Sequence, residues 1–302
     1  MRIEEAVPLA RHTTLGTGGP ARYFARPAST SELEAALRFA AERELDVSVI
    51  GLGSNLLVAD EGVEALVLRL TGELAGVETR DTLLVSGGGA TNAVCLHRAR
   101  DAGLGGFEFA CAIPGTTGGG VRMNAGAYGS DWASVLERAL VATAEGSGWL
   151  TPAELGLAYR RSSLAAGQVV ALAEHRLRER PREEIRATIA ELQARRKAAQ
   201  PTNRRTFGSV FKNPEHELTA GRLLEACGLK GFRRGGAQIS PKHANFIENA
   251  GGARTSEALW LMDEARRRAR EAFGVVLEHE VQLLGPIALA SLAPDHPRRE
   301  ET

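Results

Sequence analysis

The sequence predicts an α+β protein made of three successive units. Short runs rich in leucine and β-branched residues alternate with segments at helical spacing along most of the chain. The chain has 302 residues, 43% of them hydrophobic, which is enough for two or three cores. A polar run around Pro201 separates the last unit from the preceding ones.

Residues 1–70 form the first predicted unit. Ser31 and Glu34 have the spacing of a capping box, which predicts a helix start before LEAALRFAAEREL. VSVI (47–50) and ALVLRL (65–70) are predicted strands on either side of the loop GLGSNLLVADEG.

Residues 71–200 form the second predicted unit. We expect a strand at LLVSGG (83–88) and a helix over TNAVCLHRARDAG (91–103) that ends at Gly103. A long glycine-rich loop, IPGTTGGGVRMNAGAYG (113–129), is followed by strands near RALVATA and QVVALAEHRL. The helix PREEIRATIAELQARRKAA, with Pro181 in its first turn, closes the unit.

Residues 201–285 form the third predicted unit. Helices are expected near TAGRLLEACGL and from Ser256 to Phe273, with strands near ANFIEN and along VVLEHEVQLLG. Residues 286–302 contain three prolines and no apolar periodicity, so we expect a poorly ordered tail.

Composition excludes several classes of protein. Lysine plus arginine total 37, as do aspartate plus glutamate, so nothing indicates a general binder of nucleic acid or of membrane surfaces. No apolar run approaches the roughly 20 residues of a membrane span, and no secretory segment opens the chain. Cys95, Cys111 and Cys227 lack disulfide or zinc-ligand spacing. We therefore expect a cytoplasmic protein without a metal and without membrane insertion.

The loop from Gly51 to Leu56 follows a predicted strand. It lacks the third glycine and the following helix of a dinucleotide fingerprint. A plain glycine-rich turn and an anion-binding nest of backbone amides, helped by Ser54 and Asn55, both remain open.

The segment from Ile113 to Gly129 has an unusual density of glycine. Because glycine costs backbone entropy, such density is useful where a backbone must lie against a flat or phosphate-bearing ligand. Thr116, Thr117 and Asn124 add side-chain hydrogen-bonding groups there. A further cluster, Gly87–Gly89, precedes a predicted helix. The three loops suggest one extended dinucleotide held between the first two units, while three ordinary turns remain the alternative.

Six motifs occur in an order that resembles a known enzyme family. They are GLGSNLLV, CAIPGTTGGGVRMNAGAYG, YRRS (159–162), GSVFKNP (208–214), AGRLLEACGLKGFRRGGAQISPKHANFIEN (220–249) and HEVQLLG (279–285). Together with TTLGTGGPA (13–21), they make the chain similar to the UDP-N-acetylenolpyruvoylglucosamine reductase family, in its shorter type II subclass.

The resemblance implies a fold, a cofactor and a reaction. The implied fold is a two-domain FAD-binding fold of the vanillyl-alcohol-oxidase/MurB type, followed by an α+β substrate-binding domain. NADPH would reduce non-covalently bound FAD, which would then reduce the enolpyruvyl ether of UDP-N-acetylglucosamine to UDP-N-acetylmuramate, a precursor of peptidoglycan. We also expect a monomer that binds its UDP-sugar and NADPH but no nucleic acid.

Matching the motifs residue by residue assigns the expected cofactor-binding positions. They are Gly51, Gly53, Ser54, Asn55, Leu56, Ile113, Pro114, Gly115, Thr116, Thr117, Gly118, Gly119, Asn124, Ala125 and Gly126. Tyr159, Lys212 and Asn213 are the expected substrate-binding residues.

The catalytic residues implied by the resemblance are Arg160, Ser209 and Glu280. Negative charge develops on the substrate carboxylate as hydride arrives, and an arginine such as Arg160 can bind a carboxylate through two hydrogen bonds. Strand alternation places Glu278 and Glu280 on one face, so pattern alone leaves both open; the motif selects Glu280, which we expect to act protonated. Ser209 would donate the proton, although an ordinary turn role fits a serine after glycine as well.

The chain departs from the family pattern at several positions. Ala112 and Gly120 stand where glycine and alanine are usual, Phe207 replaces a small residue, and His12 replaces a frequent asparagine. Another flavin oxidoreductase on the same scaffold, such as an alcohol oxidase, and a non-catalytic flavin-binding relative are the competing interpretations.

Overall fold

The computed structural model describes residues 1–291. Its first part is a four-stranded sheet with one helix packed against it. In this sheet the strand order is β1-β2-β5-β3, with β2, β5 and β3 parallel and β1 antiparallel to β2. The elements are β1 (Ile3–Pro8), β2 (Pro20–Ala25), α1 (Thr30–Ala41), β3 (Asp46–Val49), β4 (Leu56–Val58) and β5 (Val63–Leu68).

The second part is built on a five-stranded antiparallel sheet of order β12-β11-β13-β7-β6. Trp132, Phe107 and Phe109 lie in its core. Its elements are β6 (Val77–Arg80), β7 (Leu83–Gly87), α2 (Asn92–Asp101), β8 (Leu104–Gly105), α3 (Thr117–Arg122), β9 (Gly126–Ala127), β10 (Ser130–Asp131), β11 (Leu136–Ala142), β12 (Ser147–Leu150), β13 (Val169–Arg176), β14 (Arg178–Glu179) and α4 (Arg182–Ala199).

The third part is a four-stranded sheet of order β15-β18-β17-β16 covered by two helices. The last strand of the third part, β19, lies outside this sheet and pairs in parallel with β4 of the first part. The elements are β15 (Thr206–Ser209), α5 (Ala220–Ala226), β16 (Arg233–Arg234), β17 (Ala237–Ile239), β18 (Phe246–Asn249), α6 (Thr255–Phe273) and β19 (Gln282–Leu284).

The three parts share their cores. Leu15 and Leu57 lie in the core of the third part, and Val169 and Ala171 lie in a core of the first. Asp60 accepts hydrogen bonds from the first two backbone amides of α6, at 2.9 and 3.0 Å. The domain boundaries at residues 70 and 200 stay a prediction, because residues from both sides of each boundary pack in shared cores.

The start of α1 corrects one prediction. Ser29, not Ser31, caps the helix: its hydroxyl accepts from the Glu32 amide at 3.3 Å, and Glu32 accepts from the Ala28 amide at 2.8 Å. Both Ser-x-x-Glu pairs fit the capping pattern. Ser31 lies inside the first turn, because Thr30 is already helical.

The glycine-rich segment 113–129 was predicted to be one long loop, and this prediction is wrong. The segment contains the six-residue helix α3 and the short strand β9. Glycine in α3 permits close packing: a Cβ at Gly120 would collide with the Trp132 ring, and one at Gly118 would lie 2.9 Å from the Gly88 carbonyl oxygen. An alanine at position 120 therefore would not fit beside this tryptophan.

The predicted strand over residues 275–285 is also wrong for most of its length. Only Gln282–Leu284 form a strand, while His279 makes an isolated bridge to Phe211. Alternation misled here because the segment changes partners, from the edge of the third sheet to β4 of the first.

The chain after Pro286 was predicted to be poorly ordered. Ile287 and Leu289 lie against the C-terminal core, and Ala290 donates to Asp263 Oδ1 at 2.8 Å. Residues 292–302, on which the rest of that prediction falls, lie outside the described residues. No helix within residues 1–291 has the length and apolar composition needed to cross a membrane.

Candidate active site

Arg160 and Glu280 form an ion pair between the second part of the fold and the C-terminal segment. The Nε of Arg160 donates to Oε1 of Glu280 at 2.7 Å, and Nη2 of Arg160 donates to the Gly126 carbonyl at 2.8 Å. Each side chain is 19% exposed. The guanidinium is thus fixed on two sides, and its remaining N–H groups are available to a ligand.

The turn that carries Arg160 is strained, and hydrogen bonds from neighbouring groups hold it in place. Arg160 has φ +55°, the left-handed region, and the backbones of Ala158 and Arg161 hydrogen-bond each other on either side of it. Asn124 donates to the Ala158 carbonyl at 3.2 Å and to Asp131 at 3.1 Å, and it accepts from the Ala133 amide at 2.9 Å.

Asn124 was expected among the cofactor ligands, and this expectation needs correction for its side chain. The residue is only 3% exposed, and its amide group is committed to protein partners. The side chain therefore supports the Arg160 turn, and contact of the Asn124 backbone with the cofactor stays a prediction.

Glu280 lies where the chain crosses between two parts of the fold. Its amide donates to the Val210 carbonyl at 2.8 Å, while its own carbonyl accepts from Asn55 Nδ2 at 3.2 Å. Two residues later the Gln282 amide donates to the Asn55 carbonyl at 3.0 Å. The crossover therefore places the backbone of Glu280 beside both the Gly51–Leu56 loop and the end of β15, while its carboxylate reaches Arg160.

Burial raises the pKa of Glu280, while the charges of Arg160 and Lys212 and the hydrogen bond from Arg160 oppose that rise. The direction agrees with the expectation that this carboxyl can hold a proton. Lys212 itself forms an ion pair with Glu278, whose side chain is 71% exposed. Glu278 is thus solvated, which separates it from Glu280 where the sequence pattern did not.

Ser209 ends β15, directly before the Val210 carbonyl that binds the Glu280 amide. It is half-buried, and its hydroxyl has no hydrogen-bond partner within residues 1–291. Gly208, with φ +83°, brings this backbone against the first part of the fold, since a Cβ there would lie 3.2 Å from the Ser54 carbonyl oxygen. The free hydroxyl is therefore available to a ligand.

The three expected substrate-binding residues differ in their surroundings. Tyr159 is 54% exposed, with the Arg160 guanidinium 4.9 Å from its ring centre. Asn213 is exposed, and its Oδ1 accepts from the Ala220 amide at the start of α5 at 3.2 Å. Asn213 therefore has a structural contact beside any role in binding.

The glycine-rich loops meet around one cavity of about 260 Å³. Gly51, Gly88, Gly89 and Thr116 belong to the three different loops, and all four line it. Ser54 Oγ donates to the Pro114 carbonyl at 2.6 Å, so the first and third loops are also joined. The residues that line the cavity are Val49, Ile50, Gly51, Leu52, Arg69, Leu70, Thr71, Gly72, Ala75, Gly88, Gly89, Thr91 and Thr116.

Backbone amides are the main donors that this region offers. The consecutive amides of residues 51–55 donate to no group within residues 1–291, and neither do those of Gly115, Thr116 and Gly119. Such a row of unpaired N–H groups is typical of an anion site. The anion-nest interpretation of the first loop is favoured over a plain turn.

Two expectations about the loops need correction. Thr117 is fully buried and its hydroxyl lies 3.0 Å from Ser86 Oγ, so its side chain faces the core. The amides of Gly87, Gly88 and Gly89 are all used by carbonyls of the fold, so this second cluster offers space but no donors. The sequence shows glycine density, but it does not show which amides remain free.

The remaining expected cofactor positions are in or beside the same loops. Ile113, Gly126 and Pro114 offer carbonyls that accept from Asn92, Arg160 and Ser54, while Leu56 lies in β4 and Ala125 packs against the second core. Sequence reasoning missed Asp131, which orients Asn124, and Arg69, which lines the cavity. Neither lies in a motif that would have drawn attention to it.

Two family models match the chain. One is described as the C-terminal domain of UDP-N-acetylenolpyruvoylglucosamine reductase and matches residues 200–284; the other is an FAD binding domain and matches residues 21–149. UDP-N-acetylenolpyruvoylglucosamine reductase 2 of Symbiobacterium thermophilum is 47% identical over 286 residues, covering 94% of this chain and 92% of that protein. The chain belongs to the UDP-N-acetylenolpyruvoylglucosamine reductase family.

Further relatives agree. The UDP-N-acetylenolpyruvoylglucosamine reductase of Rubrobacter xylanophilus is 44% identical, covering 92% of this chain and 94% of that protein. The crystal structure of the reductase (MurB) from Thermus caldophilus superposes with a TM-score of 0.82 at 40% identity, covering 94% of this chain and 99% of that one. The predicted family, the fold class and the assignment as an FAD-dependent oxidoreductase are thereby confirmed.

Proposed function

We propose that this member of the UDP-N-acetylenolpyruvoylglucosamine reductase family reduces UDP-N-acetyl-3-O-(1-carboxyvinyl)glucosamine to UDP-N-acetylmuramate, with NADPH as the reductant. The observations that carry the proposal are the Arg160–Glu280 ion pair and the unpartnered hydroxyl of Ser209, whose neighbour Val210 accepts from the Glu280 amide. An alcohol oxidase or a non-catalytic flavin protein would have no use for this combination of a carboxylate binder and a proton donor.

The residues around the cavity fit FAD. The cavity lies between glycine-rich loops, and the free amides of residues 51–55 and of Gly115, Thr116 and Gly119 suit a diphosphate. Bound FAD supplies the hydride for the reduction. We propose non-covalent binding: Cys111, the cysteine nearest the glycine-rich segment in sequence, lies in a short 3-10 helix that packs against the second core, and burial raises the pKa of its thiol.

Arg160 binds the carboxylate of the substrate. As the enol carbon gains hydride, negative charge moves onto that carboxylate, and a guanidinium already held by Glu280 and Gly126 needs little rearrangement to stabilise it. The buried position strengthens this interaction because less water screens it.

Glu280 orients Arg160 and donates a hydrogen bond once it is protonated. Its burial favours the neutral form, and the arrival of a second carboxylate beside it favours that form further. Before the substrate binds, the carboxylate of Glu280 accepts the hydrogen bond of Arg160 Nε. After the substrate binds, the protonated carboxyl stays beside Arg160 and donates its own hydrogen bond.

Ser209 delivers the proton to the carbon that does not receive hydride. Its hydroxyl is uncommitted within the described residues, and its strand end lies one residue from the Glu280 backbone contact. A carbanion-like centre is basic enough to take a proton from a hydroxyl, and Lys212 lies three residues further along the same chain segment.

The state of the cysteines supports a reducing cellular setting. Cys95, Cys111 and Cys227 are all unpaired, as expected in a reducing compartment such as the cytoplasm. NADPH as the reductant, and a monomeric state, rest on the resemblance to the family.

The test is an anaerobic assay of the purified protein. The proposal predicts a yellow protein whose flavin band is bleached by NADPH and restored by the enolpyruvyl substrate, with UDP-N-acetylmuramate as the product. Bleaching of the flavin band by an alcohol instead of NADPH would contradict the proposal and favour an alcohol oxidase. A band that neither NADPH nor an alcohol bleaches would contradict it and favour a non-catalytic flavin protein.

A further inference from the structure

Arg69 lines the cavity where the glycine-rich loops meet. Of the described residues that line this cavity, Arg69 carries the only charged side chain. It directly follows β5, and Gly51 follows β3 by one residue. Because β3 and β5 are parallel, with Val49 opposite Leu68, Arg69 and the Gly51 loop leave the sheet side by side. Ligands of such sheets bind beyond the carboxyl ends of parallel strands.

Arg69 has no carboxylate partner within residues 1–291. Two arginines in and directly after the nearby strand β2 differ in this respect, since Arg22 pairs with Glu64 and Arg26, which follows the strand, pairs with Glu4. A half-buried guanidinium without an anionic partner costs folding free energy. Because free amides line the same cavity, an anionic ligand bound there would supply the partner that Arg69 lacks.

His12 holds the Arg69 guanidinium in place. Its Nδ1 lies 3.0 Å from Nη1 of Arg69, and its ring stacks on the buried ring of Phe24 at 4.9 Å. Burial, followed by the charges of Arg69 and Arg26, lowers the pKa of His12 and keeps the imidazole neutral near pH 7. A neutral Nδ1 can accept from Arg69, and the ring proton is then on Nε2.

We propose that Arg69 binds the diphosphate of FAD, completing the anion site formed by the backbone amides, and that His12 is its positioning residue. This inference rests on the proposed function, in which FAD occupies the cavity. The amides supply partial charges around the diphosphate, whereas Arg69 supplies a full one that can form two parallel hydrogen bonds.

The experiment measures release of FAD from the holoenzyme. Parent, Arg69→Gln and Arg26→Gln proteins are diluted, and free FAD is followed by its fluorescence over a range of salt concentrations. Losing a charge-assisted contact should weaken FAD binding by about tenfold to a hundredfold in Arg69→Gln and flatten its salt dependence. Arg26→Gln removes a nearby charge that is already paired, and it should bind FAD like the parent.

His12 variants test the positioning role. Asparagine also offers an acceptor, so His12→Asn should retain most of the FAD affinity, whereas His12→Ala should lose part of it. Combining His12→Ala with Arg69→Gln should weaken binding no more than Arg69→Gln alone, because His12 acts through Arg69. Additive losses would remove the positioning role.

Several outcomes would overturn the assignment of Arg69. Equal losses in Arg69→Gln and Arg26→Gln would show that general potential matters rather than a contact. An unchanged FAD affinity with a raised KM for NADPH would assign the diphosphate to NADPH instead. A parent protein that binds no FAD would contradict the proposed function itself, independently of the role of Arg69.

Discussion

Arg160 and Glu280, separated by 120 positions in the chain, meet through a hydrogen bond of 2.7 Å that joins the second part of the fold to its C-terminal segment. Neither side chain reaches this contact by local structure alone. Arg160 stands on a turn with positive φ, and Glu280 stands where the chain changes partners from Val210 to Asn55. The pair therefore forms only when the second part of the fold and the C-terminal segment are packed together.

Arg160→Ala should slow re-oxidation of the flavin by substrate far more than reduction of the flavin by NADPH. The expected loss is on the order of a hundredfold to a thousandfold, since one preorganised donor to developing charge is removed. Stopped-flow traces of the two half-reactions measure this separately. The exposed neighbour Arg161 is the matched control, and Arg161→Ala should leave both rates nearly unchanged. Equal slowing of both half-reactions by Arg160→Ala would indicate a defect of folding or flavin binding instead.

Glu280→Gln should become more stable relative to the parent as the pH rises. The folded state raises the pKa of Glu280 above its usual value of 4.5, so the parent binds this proton more tightly when folded. That contribution is present at low pH and is lost as the pH rises from the usual value through the raised one. Urea unfolding of both proteins between pH 4 and pH 8 measures the difference, which should grow over that window and then level off. A constant difference would contradict the burial of this carboxyl. Glu278→Gln, whose carboxylate is solvated, should change stability by less than about 1 kcal/mol.

Asn124→Asp should impair turnover while leaving FAD bound. The substitution removes the donor to the Ala158 carbonyl and sets a carboxylate against Asp131, which loosens the Arg160 turn. An unsatisfied buried partner costs about 1–3 kcal/mol, so we expect roughly a tenfold to hundredfold lower rate of flavin re-oxidation. Adding Asp131→Asn should relieve the repulsion and recover stability but not the rate, because the Ala158 carbonyl still lacks its donor. Loss of FAD in step with activity would instead restore Asn124 to the cofactor site.

Gly119→Val should block flavin binding without unfolding the protein. Gly119 is exposed, and a Cβ there would approach only Thr116 Oγ1, at 3.8 Å, so the fold has room for it. A ligand lying against this amide would not have that room. Absorbance of the flavin per mole of protein measures the effect, with Gly148→Val, in open space on β12, as the control. Full flavin occupancy in Gly119→Val would remove this glycine from the site. Gly118→Val is a poorer test, because its Cβ would meet the Gly88 backbone whether or not flavin is bound.

Local signals predicted much of the fold. Thr91 and Gly103 bound α2 as expected, and the helix from residue 182 follows Pro181. The failures came where tertiary partners decide the outcome. Alternation in residues 275–281 suggests a strand, but the segment is shared between two sheets, and the choice between two Ser-x-x-Glu pairs depended on where helical backbone begins.

Motifs predicted the site residues, but they did not separate groups that stay free for a ligand from groups that are bound within the protein. Asn124 and Thr117 lie in the same glycine-rich motif as Gly119, yet their side chains face protein groups. Arg69 and His12 were not recognised as partners, because 57 positions separate them and only the parallel pairing of β3 with β5 sets Arg69 beside the Gly51 loop. Sequence spacing carries no information about such contacts.

The most direct test of the account is anaerobic turnover of Ser209→Ala, followed at the flavin band with the product quantified in parallel. If Ser209 donates the proton, the variant should keep its FAD content and its reduction by NADPH, while UDP-N-acetylmuramate formation falls by roughly a hundredfold to ten-thousandfold. Ser209→Cys should retain part of the activity, because a thiol is also a proton donor. Product formation by Ser209→Ala within about tenfold of the parent rate would contradict the role of Ser209. The proton donor would then be Lys212 or a bound water.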